Sequence, residues 1–263
     1  MNSHYISRFL TQPWEHGQRL LSLIELPSGS LLAPTSSRSL FTEAGLFTDE
    51  MEKWFDRTFE TPVGDWRARM LRGERVEPTW KVHRAMCLAV LLAAPRRTAA
   101  RDGAPDPILT APLDDAKLDQ IVGLHQQRYH LIAIPTRAEV PMFFPETAVF
   151  ALAIPYGRSV AFAHVLAVDP SLALALVPRT IELDRLPQDV LRPGTLQNAS
   201  FGHPAHCARV VVPRALLGED ASELIRAGRA AQRATQELFD LIGQLHAKES
   251  EMDERIAEIL GRS

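Results

Sequence analysis

YHLIAIPTRAEVPMFFPETAVFALAIPYGRSVAFAHVLAVDPSLALALV, residues 129–177, is where the apolar spacing of this chain changes from the helical period to runs of strand length. Tyr129 to Ile134, Val140 to Phe144, Thr147 to Ile154, Val160 to Val168 and Leu172 to Val177 are separated by Pro135, Pro145, Pro155-Tyr156-Gly157 and Asp169-Pro170. Runs of this length, punctuated by turn residues, predict an antiparallel meander. Val210 to Val212 adds one short strand.

Upstream, Leu20 to Glu25 reads as a strand that enters a turn at Pro27-Ser28-Gly29-Ser30, with Leu31-Leu32 beginning the return. Asp49, with Glu52 three residues on, has the form of a capping box. Met51, Trp54, Phe55 and Phe59 behind it share one helical face, and Pro62 is expected to end the run. Ala85 to Ala94 is apolar on every side, as in a buried helix, and Pro95 is expected to close it. Leu118, Ile121, Val122 and His125 mark another amphipathic helix.

From Glu219 to Gly261 the chain has no proline and reads as one long helix. Leu224, Ala231, Leu238, Leu245, Met252 and Ile259 recur every seventh residue, with Gly228, Thr235, Ile242, Glu249 and Ile256 at the companion position. Such a stripe serves either a homodimer through the C-terminal helix or a helix laid across its own domain. The fold class expected is α+β: an N-terminal hairpin and helices, a mostly antiparallel sheet in the second half, and a long C-terminal helix. Residues 1–218 form one domain and 219–263 the helix, with the proline-rich segment 98–112 a candidate sub-domain boundary.

The formal net charge of −3 over 263 residues gives no global reason to expect nucleic acid or an anionic membrane, so any such partner must be argued from a local cluster. Two cysteines, Cys87 and Cys207, are too few for a disulfide framework and fit a reducing cytoplasm. The longest apolar run is about half the roughly 20 residues a spanning helix needs, and no secretory leader pattern is visible, so neither membrane insertion nor secretion is expected.

The start His4-Tyr5-Ile6-Ser7-Arg8-Phe9-Leu10 is similar to the H-Y-x-P-x-F-L opening of the domain of unknown function 4238 family. The segment Phe41 to Thr48, Phe59-Glu60, the run Cys87 to Arg97, Leu166 to Leu176 and Asn198 ahead of Ala208-Arg209 also resemble parts of that family. Ser7 stands where the family has proline, and Phe144-Pro145-Glu146-Thr147 replaces its Thr-Ser-Asp-x-Pro segment, leaving Glu146 as the only acid there. The resemblance implies functional positions at His4, Glu60, Arg96, Arg97 and Asn198, in a family whose biochemistry is unassigned.

The residues themselves suggest further clusters. Asp49, Glu52, Asp56 and Glu60 form a helical ridge that could bind a divalent cation or be a solvated face. The stretch from Arg67 to Arg101 is basic, and arginine forks suit phosphate; the same side chains could instead pair with the acidic ridge. Nearby Trp66 and Trp80 could stack on bases or belong to a core. His203, His206 and Cys207 have ligand chemistry without a second cluster to complete a zinc site.

The P-loop, dinucleotide, serine-hydrolase and zincin motifs are absent. The leading expectation is a hydrolase-like enzyme on a phosphate-bearing or nucleic-acid substrate, with His4 as acid or base, Glu60 as base or metal ligand, and Arg96 and Arg97 steadying phosphate. The alternative is a non-catalytic interaction protein that self-associates or docks a partner through its C-terminal helix.

Overall fold

The structure is a computed structural model that describes residues 2–4, 8–40, 42–44, 48–102, 112–156, 159–183, 192–205 and 207–259; side chains at 2–4, 42–44, 92–102, 156, 159 and 244–259 lie outside the description. Its larger sheet is built from β5 (Tyr129–Pro135), β7 (Val149–Tyr156), β8 (Ser159–Asp169) and β9 (Leu172–Pro178). The strands run antiparallel in the order β5-β9-β8-β7, a meander with β5 added beyond β9. Leu172 to Val177 are buried at every position, so β9 has no face for water and both faces of the sheet must be covered.

The fold is α+β, but the second half of the chain does not make a single sheet. The short β6 (Phe144–Pro145) and β10 (Arg209–Val211) join the hairpin of β2 (Leu20–Glu25) and β3 (Ser30–Ser36) in the order β3-β2-β10-β6. Of the expected strand Val140 to Phe144, only Phe144 is in a strand. Phe143 instead donates its backbone N–H to Ser200 Oγ at 2.9 Å, and Met142 accepts from Trp14 Nε1 at 3.0 Å. A two-stranded pairing of β1 (Asn2–His4) with β4 (Thr42–Ala44) completes the strands described.

The helices are α1 (Arg8–Thr11), α2 (Asp49–Phe55), α3 (Thr61–Leu71), α4 (Trp80–Asp102), α5 (Asp115–Arg128), α6 (Pro193–Ala199) and α7 (Ala221–Ile259). The N-cap of α2 is Thr48, one residue earlier than expected, because its hydroxyl accepts from Met51 N–H at 3.2 Å. Met51, Trp54, Phe55 and Phe59 are buried as their spacing predicts. Pro62 does not end the run, however. A π turn over Asp56–Glu60, in which Thr61 N–H bonds to Asp56 O, hands the chain to α3 with the proline in its first turn, where no N–H is required. Pro95 likewise lies within α4, which continues to Asp102; a proline forfeits its own helical bond without dictating a stop.

One apolar core includes Leu10, Trp54, Met86, Val122, Leu174 and Val211, so the chain on both sides of the 98–112 segment shares it. Residues 103–111 themselves lie outside the described residues. The first half of α7 lies across its own domain. Gln232 donates to the carbonyls of Phe201 and Cys207 at 3.0 and 2.7 Å, and Arg229 to those of Leu26 and Pro27 at 2.7 and 2.8 Å. The heptad stripe is therefore used by the domain at Gly228 and Ile242, both buried, and its continuation from Leu245 lies outside the described side chains.

A Cβ on Gly228 would stand 2.7 Å from both Leu26 Cδ2 and Phe201 Cε1. Gly228→Val is therefore expected to destabilise the fold by about 1–3 kcal/mol through overpacking, measured as a lower urea midpoint. A midpoint at or above that of the wild type would show that α7 does not dock as described.

Candidate functional site

One position around the helix from its acidic ridge, the α2–α3 segment presents a different set of residues. Arg57 and Thr58 in the π turn and Thr61, Pro62 and Asp65 in α3 recur about every four residues and share a face. Lys81 and Arg84, in the first turns of α4, and Asp115, at the start of α5, close this face into a cleft of about 530 Å³. The segments meet because Val82, Ala85 and Met86 on α4 and Leu118 and Val122 on α5 are buried in the common core, which leaves their polar faces outward.

Arg84 is the fixed element of the cleft. Its Nη2 bonds to the Asp115 carboxylate, and its Nε lies 3.4 Å from Asp119 Oδ1. That Nε is nevertheless buried with no acceptor in hydrogen-bond geometry. Arg57, Asp65 and Lys81 make no ion pair or side-chain hydrogen bond among the described residues. Two cations without an ion partner, Arg57 and Lys81, with the hydroxyls of Thr58 and Thr61 beside them, form a donor set suited to an anion.

Arg67, Arg69 and Arg72 have structural employment. Arg69 and Arg72 each approach Glu74 to 2.8 Å. Arg67 donates to the carbonyls of Phe9 and Val168 at 3.3 and 3.2 Å and covers the Phe9 ring at 4.4 Å. The ion pairs of Arg69, Arg72 and Arg84 are thus made with acids outside the ridge of Asp49, Glu52, Asp56 and Glu60. Among the described residues no group of three or more His, Cys, Asp or Glu is placed to hold a metal ion. Trp66 is core, with Nε1 bonded to Val76 O at 3.0 Å.

Of the positions singled out by the family resemblance, Glu60 and Asn198 have described side chains, and neither lines the cleft. Glu60 ends the π turn and does not line the cleft, although it has polar or ring contacts of its own. Asn198 is exposed in α6, and its carbonyl accepts from Phe201 N–H at 3.2 Å. The side chains of His4, Arg96 and Arg97 lie outside the described residues. Glu146 is structural: its carboxylate accepts from the Ala208 and Arg209 N–H groups and from Arg209 Nε at 3.0 Å, pinning β6 to β10. In the 203–207 segment, His203 and Cys207 are packed against the domain. The His203 ring packs edge-on to Phe239 at 4.9 Å, the buried Cys207 thiol is pushed up to about 12 by burial, and His206 lies outside the described residues.

Two further constellations escaped sequence reasoning. His16 Nε2 lies 2.9 Å from Ser22 Oγ, where the β2–β3 pairing is irregular between Leu21 and Leu23. Ser22 is only 6% exposed, so an incoming carbonyl has no approach to its hydroxyl and the pair reads as a hairpin clasp. The second is a histidine cluster where α4 and α5 meet the larger sheet. His125 stacks on Tyr129 at 5.5 Å, and Tyr129 lies 6.0 Å from His164. His83 Nε2 and His125 Nδ1 are buried without partners.

Burial, then His125 and Arg179, lowers His83 from 6.5 to about 4. Burial, then Arg128, lowers His125; burial, then His125, lowers His164. The folded protein thus holds fewer protons here than the unfolded chain, so this contribution to stability is complete above about pH 6.5 and is lost as pH falls toward 4. Urea unfolding from pH 7.5 to 4.5 is expected to show this decline, on the order of 2 kcal/mol of it from His83, and His83→Gln should flatten the slope. An unchanged slope in the variant would contradict the assignment.

No family profile matches the chain, and neither the search of curated proteins nor that of solved structures finds a match.

Proposed function

We propose that the protein binds a phosphate-bearing small molecule in the cleft between α3, α4 and α5 and acts on it as a hydrolase-like enzyme. The observation that carries this reading is the pair of unneutralised cations, Arg57 and Lys81, facing a cleft whose third cation, Arg84, is already held in place by Asp115 and Asp119. A phosphate there would gain charge-assisted hydrogen bonds from all three, with Thr61 as a fourth donor. Asp65, the cleft carboxylate without an ion partner among the described residues, replaces Glu60 in the role of base: it would take a proton from the water whose oxygen bonds to phosphorus as the P–O ester bond breaks, and return that proton to the departing oxygen. Membership of the domain of unknown function 4238 family, resting on the segments quoted above, and a cytoplasmic location belong to the same proposal. The two buried, free thiols of Cys87 and Cys207 support the latter. Among the described residues no helix is long and apolar enough to cross a membrane.

A second reading attaches to α7. Leu241 is 53% exposed, and the helix runs on to Ile259 past the last buried position described, Ile242. This supports a docking or self-association role for the terminal segment, which truncation at Gln244 followed by a mass measurement in solution would test.

For the cleft, calorimetric titration with ribose 5-phosphate is expected to show binding that Arg57→Ala and Lys81→Ala each weaken about tenfold or more. Asp65→Asn should retain that affinity and lose release of phosphate from 4-nitrophenyl phosphate. Equal affinity in the arginine and lysine variants would contradict the site, and full turnover in Asp65→Asn would contradict the base.

A further inference from the structure

Edge strands avoid other chains by being short, by carrying proline or charge, by irregular pairing or by being covered. Three edges of the two four-stranded sheets use such devices among the described residues. β3 carries Pro34 and pairs irregularly with β2, and β6 is two residues long. β7 begins at Val149, whose N–H and C=O are both taken by Thr147, at 2.7 and 2.8 Å, and α6 packs beside it. The fourth edge, β5, differs. It pairs with β9 in unbroken register from Tyr129 to Pro135, holds no Asp, Glu, Lys or Arg, and has its one proline at the very end. Its His130 is held below its ordinary value by burial, then by Arg179, so the strand is uncharged at pH 7.

The register fixes which backbone groups of β5 are open. Arg179 donates to Arg128 O and Thr136 to Ser171 O, each at 2.7 Å, at the two ends of the β5–β9 ladder. Because an antiparallel ladder alternates, His130, Ile132 and Ile134 turn their N–H and C=O toward β9, and Tyr129, Leu131, Ala133 and Pro135 turn theirs outward. Tyr129 N–H is used by His125 O, and proline has none, so Leu131 and Ala133 hold the open donors. We propose that β5 is a self-association edge, on which two copies of the chain pair antiparallel about a two-fold axis at Ile132 and join their larger sheets. In the register that overlaps the whole strand, Leu131 of one protomer faces Ala133 of the other, and each donates its N–H to the other's carbonyl. The two positions that cannot donate, Tyr129 and Pro135, then face one another, and no like charges are opposed. A second copy fits better than an unrelated extended peptide, because Leu131, Ile132 and Ala133 pack on their own core and leave no side-chain pockets to select a foreign sequence. The pairing is isologous and closes at the dimer. It is independent of the phosphate reading of the cleft and of the terminal segment of α7.

Analytical ultracentrifugation of the full chain over a dilution series, with amide hydrogen exchange on the same samples, tests the pairing. The wild type is expected to reach twice the 29.3 kDa of one chain, and the Leu131 and Ala133 amides to exchange about tenfold or more slowly in the dimer than after dilution to the monomer. Ala133→Pro removes one open donor and no bond within the protomer, a place where an edge strand tolerates proline, and should sediment as a monomer. Should that variant fail to fold, Ile132→Lys, which would oppose two lysines at the axis, is expected to give the same monomer. Truncation at Gln244 should leave the dimer intact. A monomeric wild type, a dimer that survives in the folded variants, or unslowed exchange of both amides in the dimer would overturn the proposal. Loss of the dimer on truncation would assign it to α7 instead, and masses that climb beyond the dimer would replace the two-fold pairing with a head-to-tail one.

Discussion

Leu172 to Val177 cannot be left with either face in water, and the rest of the architecture answers that constraint. Each large side chain buried there is worth about 1.5–3 kcal/mol, provided that both faces of β9 are roofed. Its neighbours β5 and β8 carry Ile134, Val165 and Leu166 in the same core, while α3 and α4 pack on β8 and α5 on β5. The helices are held by their apolar sides, so their polar sides are free to form a site.

That site forms where covering helices begin. The π turn keeps the α2–α3 rod continuous through Pro62, so that Arg57, Thr61 and Asp65 remain on one face next to the opening turns of α4 and α5. Arg84 couples this face to the core: it follows the buried His83 and grips Asp115 and Asp119 across the helix interface. The histidine cluster lies behind the same interface, with Arg128 and Arg179 near its rings and two ring nitrogens unpartnered. Acid would therefore loosen the interface that positions Arg84, which makes stability and site geometry two consequences of one packing arrangement.

Much of the fold was legible in the sequence because its signals are local. Strand-length apolar runs marked β5, β7, β8 and β9, the Pro27–Ser30 turn marked the hairpin, a 3.6-residue period marked α2 and α5, and a seven-residue repeat marked α7. What could not be read was pairing between distant segments: nothing in Arg209–Val211 or Phe144-Pro145 announces that they join β2. The prolines misled because their cost depends on which carbonyl they would oppose, and the π turn changes that. The site was visible only in part. Its arginine and lysine chemistry is expected from the basic stretch, but the family resemblance points to Arg96-Arg97 and the acidic spacing to the carboxylate ridge, one position around the helix from Arg57, Thr61 and Asp65. Which cation escapes a carboxylate partner is decided by tertiary contacts, as the capture of Arg69 and Arg72 by Glu74 illustrates.

The account turns on whether an anion occupies the cleft, and amide chemical-shift mapping with pyrophosphate addresses that without assuming a reaction. The account predicts saturable shifts concentrated at Arg57–Asp65, at Trp80–Arg84 and at the start of α5 near Asp115. Shifts centred elsewhere, or none at millimolar pyrophosphate, would contradict it.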